Sequence, residues 1–222
     1  TNIVNPLMES FMKLFSGIGP NPKLVRMFLA EKEESLEIQE IDLMAGENRQ
    51  SEFLKHNPAG ELPALQLDNG TVIAETIPIC EYLEEIFPEP SLFGSTSEQR
   101  AVNRMWARRI DMKIILPMTN GFRYSEGLGL FESRMHCIPA AADDLKHQAT
   151  LGLQWLEEQI SEDHFIAGDS IGIADIALYV FLEFGKLVGQ GFDSDTLPKL
   201  KGWYERIAAR PSVEASKHPS EG

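Results

Sequence analysis

A change of texture near Phe87 sets the first limit on what these 222 residues can become. Before it, short apolar runs alternate with segments of helical periodicity; after it, the periodicity is helical throughout. Such a contrast marks the junction of a mixed α/β unit with an all-helical one. The segment Phe87-Pro88-Glu89-Pro90-Ser91 places two prolines so close together that no helix can continue through them, and it reads as a linker. The domain boundaries that follow are 12–88, a linker at 89–96, and 97–222. Residues 1–11 are expected to be an N-terminal extension or an expression remnant, outside the fold.

In the first unit, Met12-Lys13-Leu14-Phe15 is a strand candidate that leads through a Gly- and Pro-rich turn into a helix. Leu24, Val25, Phe28 and Leu29 share one face of that helix. Leu36 to Ile41 follows as a second strand, and a β-α-β unit of this kind calls for a parallel pair with a right-handed crossover. A short polar helix or loop at 48–56 comes next. Pro63 to Leu67 and Thr71 to Ala74 then flank Asp68-Asn69-Gly70, a hairpin signal because both turn residues tolerate positive φ. A helix bearing Ile77, Cys80, Leu83 and Phe87 closes a compact sheet with helices on both faces.

Beyond the linker, four longer helices are expected. Their apolar faces are Val102, Met105 and Trp106; Leu145, Ala149, Leu153 and Leu156; Ile173, Ile176, Val180 and Phe184; and Leu200, Trp203, Tyr204 and Ile207. Charge narrows the function. With 34 acidic against 20 basic side chains the net charge is -14, which disfavours polyanions and anionic membranes as partners. No apolar stretch reaches bilayer length and no signal segment is expected, so the chain reads as cytoplasmic. Cys80 and Cys137 are far apart and form no Cys-x-x-Cys pair; both are expected to be reduced core residues, with neither a disulfide framework nor a metal site.

The segment Asn57-Pro58-Ala59-Gly60-Glu61-Leu62-Pro63-Ala64-Leu65, followed ten residues later by Glu75-Thr76-Ile77-Pro78-Ile79, resembles the glutathione-binding half of the cytosolic glutathione transferase family. The stretch Phe165 to Ile176 resembles that family's helix-start motif, and Trp203-Tyr204-Glu205-Arg206 with Arg210-Pro211-Ser212-Val213 resembles its closing segment. The resemblance implies an α/β thioredoxin-like N-terminal domain plus an all-α C-terminal helical bundle. It further implies a homodimer and a role in detoxification, with glutathione as substrate and no metal.

Site residues follow from the same resemblance. A cis peptide before Pro63 would turn the backbone of Leu62 toward the cysteinyl part of glutathione, where it can pair as a neighbouring strand would. Glu75 would take the γ-glutamyl ammonium, while the Thr76 hydroxyl and the helix N-terminus would suit its α-carboxylate. Asn48 would meet the glycyl end, with Arg49 adding charge nearby; Glu61 carries the wrong charge for that contact. In the helix-start motif Gly172 stands where a hydroxyl residue is usual, so Asp175 keeps the backward cap and the forward one is lost.

Chemistry requires glutathione as its thiolate, which needs hydrogen-bond donors or positive potential at sulfur. The usual Tyr, Ser or Cys is missing: its place falls on Gly19 or Pro20, as in the bacterial and fungal members that the chain looks most like. Asn21 is the leading catalytic candidate and Ser16 the second, against the plain reading of Asn21-Pro22 as a helix cap and first helical residue. Arg108, Thr119, Arg123 and Tyr124 are further candidates from the helical domain. Met118, Phe122 and Tyr124 are expected to wall a pocket for a small, largely apolar electrophile. Conjugation is the expected activity; the alternatives are a non-catalytic glutathione-binding or regulatory protein and a glutathione-dependent reductase or peroxidase.

Overall fold

The computed structural model describes residues 12–221, so the extension expected at 1–11 lies outside the described residues. Four strands form one sheet in the order β2-β1-β3-β4. Strand β1 (Lys13–Ser16) pairs in parallel with β2 (Glu37–Glu40) across helix α1 (Pro20–Glu31), and antiparallel with β3 (Ala64–Gln66). Strand β4 (Val72–Ala74) completes the hairpin and runs into α3 (Thr76–Ile86). The alternation of β1 separates the two sides of the sheet. Leu14 joins α1 and α3 in the main core, whereas Phe15 packs with Ile41, Phe53, Leu62 and Ala64 beneath the short helix α2 (Ser51–Leu54). Strand β2 lies at the sheet edge, and all four of its residues are exposed.

The second half is helical, comprising α4 (Ser97–Ile110), α5 (Leu116–Arg123), α6 (Leu128–Phe131), α7 (Ala142–Gln159), α8 (Ile173–Leu187), α9 (Pro198–Ala208) and α10 (Pro211–Ala215). Thr96 and Gln99 form a reciprocal capping box at the start of α4. A π-helical turn at Asp111–Ile115 joins α4 to α5. Gly152 of α7 packs on this turn so closely that a Cβ would overlap the carbonyl of Lys113. Helix α8 is buried on nearly every side from Ile173 to Leu182. It stands against α1, which explains how the two halves share one continuous core.

Two expectations about burial need correction. The face of α4 that enters the core is Asn103, Ala107 and Ile110, leaving Val102 and Met105 well exposed. Cys80 is fully buried, which pushes its thiol well above the usual range, but Cys137 is only half-buried in the segment after α6.

The helix-start motif is built around Asp175. Its carboxylate accepts from the backbone N–H groups of Gly172 and Ile166, both at 2.9 Å, and from Trp203 Nε1 at 2.7 Å. The missing hydroxyl residue also has a cause. A Cβ on Gly172 would overlap Asn103 Oδ1, so the amide of α4 fills the space that a serine or threonine would need.

Candidate active site

The turn after β1 reaches α1 through Gly19, whose φ of 120° suits glycine. Pro20 and Pro22 have no N–H, and Lys23 N–H is spent on Gly19 at 3.2 Å. Among the described residues, Asn21 therefore carries the one unpaired backbone donor in the first turn of α1. Its side chain makes no cap hydrogen bond, because the helix begins one residue earlier and Asn21 is its second residue. The capping alternative is thus set aside by geometry. Asn21 presents an unused amide N–H and an unused carboxamide at the positive end of a 12-residue helix.

Two distant segments meet Asn21. The Leu62-Pro63 peptide is cis, and Leu62 lies just before β3 with no backbone hydrogen bond to another described residue. Glu75 caps α3 from a left-handed conformation, φ 72° and ψ 135°, which costs a non-glycine residue roughly 1–3 kcal/mol. Its exposed carboxylate makes no cap bond with the helix. The N–H groups of Thr76 and Ile77 are likewise open, and Pro78 has none. Asn21, Asn57, Glu61, Leu62, Pro63, Glu75 and Thr76 together line a hollow of about 30 Å³. Two anionic side chains, Glu61 and Glu75, and two open helix N-termini thus face a single place.

Beside it lies a larger cavity of about 400 Å³ between the two halves of the chain. Asn21, Glu61 and Leu62 line both spaces and so stand at their junction. Apolar walls come from Ile18, Leu43 and Met44 on one side and Phe122, Leu130, Phe131 and Phe184 on the other. The aromatic wall is rigid: the Phe122 ring meets Phe184 edge-on at 5.2 Å and Phe131 at 6.1 Å. Asn48 and Arg49 also line the cavity. Asn48 is buried and donates to the Gly60 carbonyl at 2.6 Å, leaving its Oδ1 without a partner, so its amide is engaged before any ligand arrives.

Several expected site residues lie elsewhere. Ser16 is fully buried in β1, where its hydroxyl accepts from Arg26 Nη1 at 2.9 Å, and it does not reach the cleft. Met118 is buried against Gly185 and lines a different hollow between α7 and the segment at Gly189–Asp193. Tyr124 follows α5 as its C-terminal cap and is not a wall of the cavity. Arg108 is exposed and paired with Asp111. Thr119 does line the cavity, but its hydroxyl donates to its own helix at Ile115 O, 2.8 Å away. The walls at Leu130, Phe131, Arg134 and Phe184 escaped sequence reasoning. Leu130 and Phe131 sit in the short apolar run of α6, whose spacing did not tell where it would fold, while Phe184 was read only as part of a core-facing helix.

Family models for the glutathione S-transferase N-terminal domain and C-terminal domain match residues 19–86 and 134–211. Glutathione S-transferase 2 of Saccharomyces cerevisiae is 32% identical over 203 residues, covering 88% of this chain and 84% of its own. A maleylacetoacetate isomerase of Pseudomonas aeruginosa is 30% identical, covering 88% and 90%. Among solved structures, Gtt2 from Saccharomyces cerevisiae superposes with a TM-score of 0.84 at 30% identity, covering 92% of this chain and 100% of that one. A glutathione S-transferase domain-containing protein of Marinobacter aquaeolei gives a TM-score of 0.83 at 33% identity, covering 90% and 99%.

Proposed function

The chain belongs to the glutathione S-transferase family and is a glutathione transferase, and from that premise we propose that Asn21 activates the thiolate that it transfers. The observation that carries this reading is the position of Asn21, shared by the small polar hollow and the large apolar cavity. A sulfur attacking an electrophile must sit at such a junction. There the Asn21 carboxamide and backbone N–H, with the helix field behind them, would donate to sulfur and favour its anion, so that no Tyr, Ser or Cys is required.

Glutathione would lie with its γ-glutamyl ammonium on Glu75 and its α-carboxylate on Thr76 and the start of α3. Its cysteinyl backbone would pair with Leu62, beside Pro63. Asn48 would act at the glycyl end by ordering the Gly60 carbonyl, which leaves Arg49 as the charged contact. The second substrate is a small electrophile whose apolar part rests on Phe122. Met118 and Tyr124 drop out of that pocket, and Ser16 drops out of catalysis. The same reading divides the chain at 12–88, 89–96 and 97–222.

A cytoplasmic, detoxifying homodimer completes the proposal. Among the described residues no helix is long and apolar enough to cross a membrane. For the dimer, the support is the outer face of α3 and α4, where Ile86, Val102 and Met105 are exposed beside a cavity of about 480 Å³. Glu81, Glu85, Arg100 and Arg104 line that cavity, an acidic row next to a basic one that a two-fold axis could match to itself.

The decisive experiment is Asn21→Ala. Turnover of a generic electrophile should fall about tenfold or more, with stability held within about 0.5 kcal/mol, since no cap bond is lost. Turnover left intact would overturn the assignment of Asn21 to the sulfur, whatever the change in stability.

A further inference from the structure

We propose that the preferred second substrate is an anion, an apolar electrophile carrying a carboxylate or similar group that Arg123 and Arg134 bind. This rests on the transferase reading above and adds the charge of the substrate to it. Arg123 ends α5 and Arg134 lies in the turn after α6, and both line the 400 Å³ cavity. Their guanidinium carbons sit over the same Phe131 ring, 5.5 and 5.9 Å from its centroid. Stacking on that ring holds two positive groups side by side at the end of the apolar wall.

Their partners are meagre. Arg123 donates to Asn120 Oδ1 at 3.2 Å, and Arg134 reaches across the cleft to the Leu43 carbonyl at 3.5 Å. Among the described residues neither Arg123 nor Arg134 holds a carboxylate, so their charge is not neutralised by a paired acid as that of Arg104, Arg108 and Arg210 is. Among the described residues lining the cavity Glu61 is the single carboxylate, and it stands at the glutathione side. Two half-buried, stacked guanidinium groups with spare donors beside an aromatic wall are suited to an aryl carboxylate: ring on Phe122 and Phe184, anion on the arginines.

The test compares 4-chloro-3,5-dinitrobenzoate with its methyl ester. In both, glutathione thiolate attacks the ring carbon that bears chlorine. The C–S bond forms, the C–Cl bond breaks with its electron pair leaving as chloride, and the thiol proton passes to solvent. After division by the uncatalysed rates, the protein should prefer the acid over the ester in kcat/KM. Arg123→Gln or Arg134→Gln should each cut that preference about tenfold. Arg134→Lys, which keeps the charge, should retain most of it, so that a folding defect is told apart from lost recognition. Equal use of acid and ester by the wild type, or an unchanged ratio in the variants, overturns the proposal while leaving the transferase reading intact. A KM for glutathione that rises tenfold with the ratio unmoved also overturns it, since the arginines would then serve glutathione. Failure to conjugate either compound would sink both.

Discussion

Asn21 and Asp175 show how one residue's role depends on what surrounds it rather than on its type. Asn21 reads in sequence as a cap, yet the helix starts at Pro20 and the carboxamide is left free at the cleft. The corresponding prediction is a change in pH dependence: the pKa of bound glutathione thiol, followed by thiolate absorbance, should rise by about one unit in Asn21→Ala, the equivalent of one hydrogen bond to the anion. Asp175 is the reverse case, a carboxylate wholly devoted to the fold. Burial raises its pKa from 3.8 to about 6, against the lowering effect of the Ile166, Trp203 and Gly172 donors. Because the folded value is the raised one, this group favours the native state most below about pH 4, and its contribution is lost as pH rises through 6. A carboxyl carbon titration by NMR should show a midpoint near 6. Asp175→Ala should cost roughly 3 kcal/mol or more in urea unfolding, since three buried donors lose their acceptor.

At the scale of elements, sequence periodicity located helices more surely than it told which side of them faces the core. Helix α4 is the instructive example. Of Val102, Met105 and Trp106, expected as its buried stripe, only Trp106 packs against the core; Asn103, Ala107 and Ile110 take the buried face, and an asparagine on the core side is not an apolar signal. That asparagine explains the glycine of the neighbouring cap. Gly172→Ser restores the usual hydroxyl on paper and should nevertheless destabilise the protein by about 1–3 kcal/mol, because its Cβ meets Asn103 Oδ1. In an Asn103→Ala background the same substitution should cost markedly less, giving a coupling measurable by a double-mutant cycle in thermal unfolding. A serine that stabilises the unaltered background would refute the steric account. Helix α6 was invisible for a different reason: four residues are too few for a period to show, and yet Leu130 and Phe131 wall the cavity.

For the whole molecule, the two textures of the sequence became two halves joined by one core, with α1 packed on α8 and α10. Two contacts pin them: Lys23 to Glu183 at 2.7 Å, and Glu31, which holds both Arg210 and Ser212. The exposed apolar residues of α3 and α4 are to be matched at the scale of an assembly. Sedimentation should give a dimer of two 24.9 kDa chains, and Met105→Glu should shift it toward monomer without loss of helix content. A monomeric wild type would remove that face from consideration. The sequence by itself determined the sheet, its hairpin, the start of α3 at Thr76 and the family, because turns, caps and X-Pro peptides are set by neighbours along the chain. Tertiary structure alone decided that Ser16 is shut in by Arg26, that Met118 turns away, and that Arg123 and Arg134 share Phe131. Those outcomes depend on the packing of segments far apart in sequence, which local periodicity does not encode.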